Sequence, residues 1–502
     1  MSKTANKGVT HMGKVYLTRL IIETQSPMAI NTGNREVGFD SQLARDANNL
    51  PYVPATSIAG VWKHLAKEVL SENSIDNWFG YTGKESQSST LTISDGVLHN
   101  SKNKPVQGLL TPEAINQDSL LSMLVQARPH HRERVSINDR GVAKNTGKFD
   151  QILLPAGIRF CIDIKFYDDR LANDTISKEW DDLLNCWQNP LFALGANTRN
   201  GLGKLTVVAS NTEVINLSDV ISASHKMQSH ALRENIPEKN NINFIAEQNV
   251  FATLPLKALD NWRSGAGSQL LGKYNKGEAD KSIAMITYSE PKVKWHSKAG
   301  KTQAEISEPK AVLCGSSIKG ILAHRITFHW RRHEALLGKT GMWAEEMEHA
   351  SHEQWETRPE GLKYLLGFAD QNDHENSLAG SLYVDDSDIS FVDTTIRHHN
   401  SIDRFTGGVR KGALYSEELL YQPEFTLTLN IKKGTVLSHS LKQALSDTLD
   451  DLKIGLLPMG AGSGRGTSIV MANPEKSWLV NLDHIKTESI LAVTEETQGA
   501  SS

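Results

Sequence analysis

Two aspartate–arginine pairs stand far apart in the sequence but in similar surroundings. Asp139-Arg140 lies in RVSINDRGVAKNTGK and Asp403-Arg404 in HNSIDRFTGGVRKG, each with glycine and basic residues close behind. A local ion pair would explain either one alone, and exposed ion pairs contribute little to stability. Because both recur beside glycine and basic residues, the pattern indicates a shared loop that contacts a polyanion through Arg140 and Arg404.

Two glycine-rich loops, each with one arginine and a strand after it, could bring backbone amides close to an anion. They read LGANTRNGLGKLTVV (194–208) and PMGAGSGRGTSIVMA (458–472). The first is no P-loop because Lys204 is not followed by Ser or Thr, and a dinucleotide fold would need a helix after the loop. Tight turns that need positive φ are an equally good interpretation. Arg199 and Arg465 favour contact with a phosphate backbone.

Histidines and cysteines show no spacing typical of a metal site. The sequence has no H-E-x-x-H motif, and its three cysteines form no C-x-x-C. It therefore supports neither a zinc site nor a disulfide framework. General acid–base catalysis by a histidine such as His64 or His131 stays open.

The elements that carry these groups occur twice. LPYVPATSIAGVWKHLA (50–66) and KAVLCGSSIKGILAHRI (310–326) each predict a loop that caps a helix. The polar loops before TLTISDG and SLYVDD form another pair, and all the pairs keep their order. Equivalent residues lie 260 to 264 positions apart: Gly60 and Gly320, Arg140 and Arg404, Gly203 and Gly466. Such order indicates an internal repeat.

Each copy begins with an alternating strand, KVYLTRLIIETQ or NVFATLPLKALD, and ends with a strand after its glycine loop. One helix is expected near the start and another before that loop. This order predicts an α+β fold with helices on one face of each sheet, as two tandem ferredoxin-like (RRM-like) βαββαβ domains. The expected units are residues 1–215, a linker at 216–245, residues 246–485 and a disordered tail at 486–502.

The composition is that of a globular protein with a packed core. Of 502 residues 39% are hydrophobic and 22% charged, and the formal net charge is −4, so any contact with nucleic acid must be local. No run of 18 apolar residues occurs, and the polar start MSKTANKGVTHMGK is unlike a signal peptide. A cytoplasmic protein without membrane contact is expected.

The doubled motifs resemble the RAMP superfamily, specifically the backbone subunits of type III CRISPR effector complexes. The residues that carry the resemblance include VGFDSQLARDANNLPYVPATSIAGVWKHL, GANTRNGLGKL, CGSSIKGILAHR and HNSIDRFTGGVRKGALYSEE, and it covers most of 14–215 and 246–475. The resemblance implies two fused backbone subunits with RRM-like cores, inserted loops and thumb hairpins. It also implies a prokaryotic cytoplasmic ribonucleoprotein with guide RNA (crRNA), complementary target RNA and other CRISPR effector subunits as partners.

Catalytic members of that family use an aspartate after the first strand for metal-dependent cleavage of target RNA. The resemblance places this role on Asp40, with a divalent metal, Mg²⁺, as cofactor and with unknown metal ligands. In the second copy the corresponding loop is a long, Lys-rich insertion (260–310). Asp280 is preferred there, with Glu278 and Asp260 as alternatives. The insertion is either an RNA-facing arm or a solvated surface loop.

Hydroxyl and basic groups at the two helix starts could bind the phosphates of a guide RNA, and the arginines of the loops could add further contacts. The predicted RNA-binding residues are Ser57, Lys63, Arg140, Arg199, Ser316, Ser317, Lys319, Arg404 and Arg465. Ordinary helix capping would also explain the serines. Alternatives to a cleaving subunit are a non-catalytic guide-binding scaffold, a stand-alone guide-processing endoribonuclease and, least favoured, a nucleotide-binding metabolic enzyme.

Overall fold

The computed structural model describes twelve stretches of the chain. They are residues 13–32, 42–83, 86–137, 143–168, 174–218, 220–242, 250–265, 268–270, 283–298, 300–339, 358–368 and 377–487.

The first repeat contains seven strands and six helices in its described residues. They are β1 (Lys14–Thr24), α1 (Ala55–Ala66), α2 (Glu72–Phe79), β2 (Leu91–Ile93), β3 (Val97–Leu98), α3 (Pro112–Gln117), α4 (Ser119–Leu124), β4 (His130–Ile137), β5 (Ala143–Leu153), β6 (Arg159–Asp168), α5 (Asp174–Asn185), β7 (Leu205–Asn216) and α6 (Val220–Ala231).

The first sheet has the strand order β2-β6-β1-β7, with β3 also paired to β6. All of these pairs are antiparallel, and β1 lies between β6 and β7, with Leu20 opposite Ile162 and Ser210. The first strand is therefore central, flanked by the third and fourth, as in a ferredoxin-like βαββαβ unit. The predicted fold class is confirmed.

The second repeat has the same order of main strands and helices as the first, with a larger insertion after its first strand. Its described elements are β8 (Val250–Lys257), β9 (Asn261–Trp262), β10 (Ser268–Leu270), β11 (Ile283–Met285), β12 (Ser289–Glu290), β13 (Val293–Lys298), β14 (Lys301–Ile306), β15 (Lys310–Leu313), α7 (Gly315–Leu336), α8 (Glu360–Leu366), β16 (Leu382–Val384), β17 (Ser387–Asp388), β18 (Asp393–His399), β19 (Tyr415–Tyr421), β20 (Glu424–Ile431), β21 (Val436–Leu437), α9 (His439–Lys453), β22 (Met471–Ala472), β23 (Leu479–Val480) and β24 (Lys486–Thr487).

The second sheet has the equivalent order β16-β20-β8-β22, with β23 also on β8. Its fourth strand differs from β7 because it is divided into two residue pairs, β22 and β23. The segment between them includes Pro474, which has no amide to donate to a ladder, and Asn473, whose side chain accepts the amide of Glu475 in a turn. A continuous fourth strand is therefore interrupted there.

Helical spacing of apolar residues builds the core of each repeat. In α1, Ile58, Trp62 and Leu65 are buried at intervals of four and three, and α7 buries Ile318 and Leu322 in the same way. These residues pack on the sheets in two separate hydrophobic cores, one for each repeat.

Helix α6 covers the second face of the first sheet, whereas the sequence predicted helices on one face only. Ala223 of α6 packs against Val15 and Leu17 of β1. Arg19, on the same face, donates to Asp163 at 2.7 Å and to the carbonyl of Asn235 at 2.9 Å. Part of the predicted linker thus forms a helix and a segment that bind back onto the first repeat.

Three hairpins stand out from the two sheets. The first thumb hairpin (β4–β5) and the second thumb hairpin (β18–β19) occupy the same place in their repeats, as the resemblance implied. The docking hairpin (β13–β14) belongs to the insertion of the second repeat. Among the helices of the described residues, none is both long and apolar enough to span a membrane.

Candidate nucleic-acid interface

The helices α1 and α7 are attached to their sheets in the same way. Asp95 Oδ1 accepts the amide of Ala55 at 2.8 Å, and Asp386 Oδ1 accepts the amide of Gly315 at 2.7 Å. Each aspartate follows the second strand of its sheet and satisfies the first amide of the helix, where a negative charge is favourable. The short strand that ends in Asp, found twice in the sequence, therefore positions the two helix starts.

Both helix starts present hydroxyl groups and open space to the solvent. Ser57 and Ser317 are exposed, and Ser316 is half-buried. A Cβ added at Gly60 or Gly320 would meet no atom within 4 Å. The repeat thus places two equivalent polar, uncrowded patches on the surface of the protein.

The two predicted lysines at these helices lie in different environments. Lys63 is half-buried and donates to the carbonyl of Gly80 at 2.6 Å. Lys319 is only 8% exposed, with its Nζ 2.8 Å from Leu382 O and 3.4 Å from Arg199 O. Burial, and then the charges of nearby arginines, lower the pKa of Lys319 to about 7. Its amino group is held inside the protein rather than on the surface.

The glycine loops have an equivalent structural task in both repeats. Ala196 N donates to Ala29 O at 2.8 Å, and Ala461 N donates to Arg263 O at 2.7 Å. Gly195 adopts φ +94, and a Cβ there would lie 2.3 Å from Ala29 O, so only glycine allows this approach. Each loop fixes the chain just after the first strand of its repeat, and the tight-turn interpretation of the glycines holds.

The arginines of the two loops are placed differently. Arg199 donates through Nε to the carbonyl of Gly380 at 2.6 Å and lies over the ring of Tyr383, so it is held between the repeats. Arg465 donates to the hydroxyl of Tyr415 at 2.7 Å, and its side chain is 41% exposed. Arg465 therefore faces the solvent beside the second thumb hairpin.

The tip of the second thumb hairpin is basic and apolar. Asp403 accepts the amides of Phe405 at 2.9 Å and Thr406 at 3.0 Å, and these bonds lower the pKa of its carboxyl. Its carboxylate thus shapes the turn, while Arg404 is exposed and Phe405 is 99% exposed. Two further exposed cations follow at Arg410 and Lys411.

Three predicted site residues, Asp40, Asp280 and Arg140, lie outside the described residues. Thr32 and Gln42, the described neighbours of the segment that contains Asp40, are joined by a backbone hydrogen bond of 3.0 Å. No group of three or more His, Cys, Asp or Glu side chains in the described part of the chain could hold a metal ion.

A buried polar network joins the repeats, and the sequence did not indicate it. Arg132 of the first thumb hairpin is 2% exposed and donates to Glu290 at 2.8 Å and Asp386 at 2.7 Å. Tyr288 OH lies 3.0 Å from Glu290, and His130 Nε2 lies 3.2 Å from it. Burial raises the pKa of Glu290, but the hydrogen bond from His130 and the charge of Arg132 outweigh it and lower the pKa to about 2.

The docking hairpin is a packing element in its described part. Val293 belongs to the hydrophobic core of the first repeat and donates its amide to Ala156 O at 2.9 Å. Trp295 donates to the carbonyl of Gly157 at 2.7 Å and lies under the guanidinium of Arg159. The second repeat therefore completes the core of the first.

A comparison with protein-family profiles agrees with the repeat. A profile of the RAMP superfamily matches residues 21–206 and 295–470, one stretch in each repeat and together more than half of the protein. The chain belongs to the RAMP superfamily. Among solved structures it is similar, at 17% identity and a TM-score of 0.28, to a chain of a type III-B Cmr-beta complex bound to cognate target RNA. The match covers 41% of this chain and only 62% of that one. No curated protein matches.

Proposed function

We propose that this protein is a guide-RNA-binding backbone subunit of a type III CRISPR ribonucleoprotein. The observation that carries the proposal is the recurrence of one surface: an exposed serine, then an uncrowded glycine, at the start of α1 and again at the start of α7. Two equivalent surfaces can bind a polymer with a regular backbone such as RNA, and the amides and hydroxyl groups at a helix start can bind its phosphates. Membership of the RAMP superfamily and the resemblance of the doubled motifs support this reading.

The proposed contacts with the guide are to its backbone. Ser57, Ser316 and Ser317 provide hydroxyl donors at the helix starts, and Arg404 and Arg465 provide charge beside the second thumb hairpin. Such contacts position RNA without reading its sequence. Base pairing between the guide and a target RNA would supply the specificity. The remaining proposed contacts are Lys63, Arg140 and Arg199, whereas Lys319 acts as an internal support.

We further propose that the subunit cleaves the target RNA, with Asp40 and Asp280 as the carboxylates and Mg²⁺ as cofactor. RNA carries its own nucleophile: the 2′-hydroxyl gives its proton to a base, its oxygen bonds to the adjacent phosphorus, and the bond from phosphorus to the 5′-oxygen breaks as that oxygen takes up a proton from water. The protein needs mainly to hold the backbone in line for this attack. A non-catalytic scaffold is the alternative that the experiments below distinguish.

Binding is tested with a labelled single-stranded RNA and the full chain. Gly60→Glu and Gly320→Glu each add a carboxylate to a proposed RNA patch, where a new Cβ meets no atom within 4 Å, and glutamate is a better helix former than glycine. We expect each to weaken RNA binding at least tenfold at low salt. Ser224→Glu, on the exposed side of α6, adds the same charge elsewhere and should bind normally. Equal affinities for all variants would contradict the proposed interface.

Cleavage is tested in the assembled ribonucleoprotein with a target complementary to its guide, in Mg²⁺ or in EDTA. We expect Asp40→Ala and Asp280→Ala to remove separate cuts and the double variant to remove both, while target binding persists. Binding without any cleavage by the wild type would establish a scaffold. Normal cleavage by the double variant would show that these carboxylates are wrong.

A further inference from the structure

Basic side chains from both repeats meet at the start of β16. From the first repeat, Arg199 donates through Nε to the carbonyl of Gly380. From the second repeat, Lys319 donates through Nζ to the carbonyl of Leu382, two residues further along. A guanidinium group and an amino group are therefore attached to one short stretch of backbone where the repeats touch.

A second pair of basic groups lies beside them. The amide of Lys432 donates to the carbonyl of Ser381, in the same stretch, at 3.0 Å. Lys432 Nζ lies 3.5 Å from Nε2 of His64, which is exposed in the last turn of α1. These four side chains form what we name the junction cluster: His64, Arg199, Lys319 and Lys432.

The junction cluster has an excess of positive charge. The contacts of its members in the described part of the chain are with carbonyl groups, an aromatic ring and each other, and none is an ion pair with a carboxylate. Among the described residues, the carboxylate of Glu68 acts on the same place: burial raises the pKa of Tyr383, Arg199 lowers it, and Glu68 raises it. Within the described part of the chain, this negative charge does not balance Arg199, Lys432 and the exposed Lys67.

The protonation of His64 reflects this excess. Burial lowers the pKa of His64, and the charges of Lys432, Arg199 and Lys67 lower it further. The end of a helix normally favours a protonated imidazole. Burial and the surrounding cations outweigh that effect, so an anion bound at this place would be attracted and would favour protonation of His64.

We propose that the junction cluster binds a phosphate group through His64, Arg199 and Lys432. A phosphate oxyanion can accept from an imidazole, an ammonium and a guanidinium group together, and it would relieve their mutual repulsion. Lys319 stands behind these donors as a buried support. The identity of the ligand rests on the proposed function: in an RNA-binding subunit the group is a phosphodiester, held where the repeats meet. Free inorganic phosphate offers the same chemistry.

The pKa of His64 measures occupancy of the site directly. The full chain, labelled at the Cε1 carbon of histidine, is titrated by NMR with and without inorganic phosphate and, separately, with a short single-stranded RNA. The signal lost in His64→Gln identifies the residue. We expect phosphate and RNA each to raise the pKa of His64 by half a unit or more. Lys433→Gln should respond like the wild type because its side chain is exposed one residue away, whereas Lys432→Gln should respond weakly.

The salt dependence of RNA binding provides a second readout. Loss of one phosphate contact to a single strand lowers the slope of log K against log salt by about 0.7. We expect this change for Lys432→Gln and no change for Lys433→Gln. Circular dichroism of both variants checks that they are folded.

The possible results distinguish failure of the phosphate site from failure of the proposed RNA-binding function. If phosphate raises the pKa of His64 but the chain binds no RNA, the phosphate site stands and the RNA-binding function fails. If RNA binds while neither ligand moves the pKa and Lys432→Gln leaves the slope unchanged, the junction site is refuted and the function stands.

Discussion

Replacing Arg132 by methionine should strongly destabilise the contact between the repeats. Arg132 is 2% exposed and lies between the carboxylates of Glu290 and Asp386, which come from the other repeat. Methionine keeps much of the volume of the side chain but removes its charge. Two carboxylates would then remain in a buried site, where the described partners of Glu290 would be His130 and Tyr288.

Two independent arguments give a similar magnitude. Removing one partner of a buried ion pair costs about 3–5 kcal/mol because the other charge is left uncompensated. The pKa of Glu290, lowered from 4.5 to about 2, corresponds to roughly 3 kcal/mol of stabilisation of its charged form, part of which comes from Arg132. We expect a loss of about 3 kcal/mol at pH 7.

The sign of the pH dependence follows from the direction of the shift. A carboxyl group whose pKa is lowered in the folded state stabilises the protein above pH 4.5, and this stability is lost as the pH falls toward 2. Without Arg132 the pKa of Glu290 rises, so Arg132→Met should lose less stability on acidification than the wild type does.

Urea denaturation followed by circular dichroism measures both effects, at pH values from 7 down to about 2.5, which includes most of the range in which the carboxyl group of Glu290 titrates. Lys148→Met is the matched control, since Lys148 forms an exposed ion pair with Glu133 on the same hairpin and should change stability by under 1 kcal/mol. Adding Glu290→Gln to Arg132→Met should recover at least 1 kcal/mol. A loss below 1 kcal/mol for Arg132→Met, or no recovery in the double variant, would refute this reasoning.

Four further expectations are tested by the same urea denaturation. Gly157→Ala should lower the free energy of unfolding by about 2 kcal/mol or more, since residue 157 has φ +88 and its new Cβ would lie 1.9 Å from Val293 O. Gly60→Ala, at a helix position with open space around it, should raise the free energy of unfolding by up to about 1 kcal/mol. Lys319 has a lowered pKa of about 7, so wild-type stability should rise from pH 7 to pH 10, and Lys319→Met should abolish that rise. Phe405→Ala should change stability by less than about 0.5 kcal/mol because its ring is 99% exposed, and a larger loss would show that the ring packs.

The architecture of each repeat could be predicted from the sequence because its signals are local. The alternation of apolar residues in β1 and their helical spacing in α1 each depend on a few neighbouring residues. The same is true of the glycines in the turns of the loops. Their recurrence in one order then fixed the arrangement of the strands. The contact of α6 with the first sheet carried no such signal, since this helix shows one buried residue, Ala223, among polar neighbours.

The relation between the repeats could not be predicted in this way. Arg132 contacts residues 158 and 254 positions away, so its partners depend on how two folded units dock. Trp295 stands in a Lys-rich insertion typical of an exposed arm, yet it packs against the first repeat. Lys319 was expected beside RNA from its helical position, but its side chain is buried, with its Nζ 3.4 Å from Arg199 O in the glycine loop of the other repeat. The proposed catalytic residues Asp40 and Asp280 stay predictions.

The placement of Val293 in the core of the first repeat constrains how the protein is made. The last strand of that repeat ends at Asn216, while the docking hairpin ends at Ile306, about 90 residues later. At a synthesis rate of 5–20 residues per second, the ribosome needs about 5 to 20 seconds to cover this distance. During that time the first repeat exposes an incomplete core. If the gene were separated into its two halves, the first repeat would expose this incomplete core until it met the second unit by diffusion, so the fusion makes that encounter intramolecular.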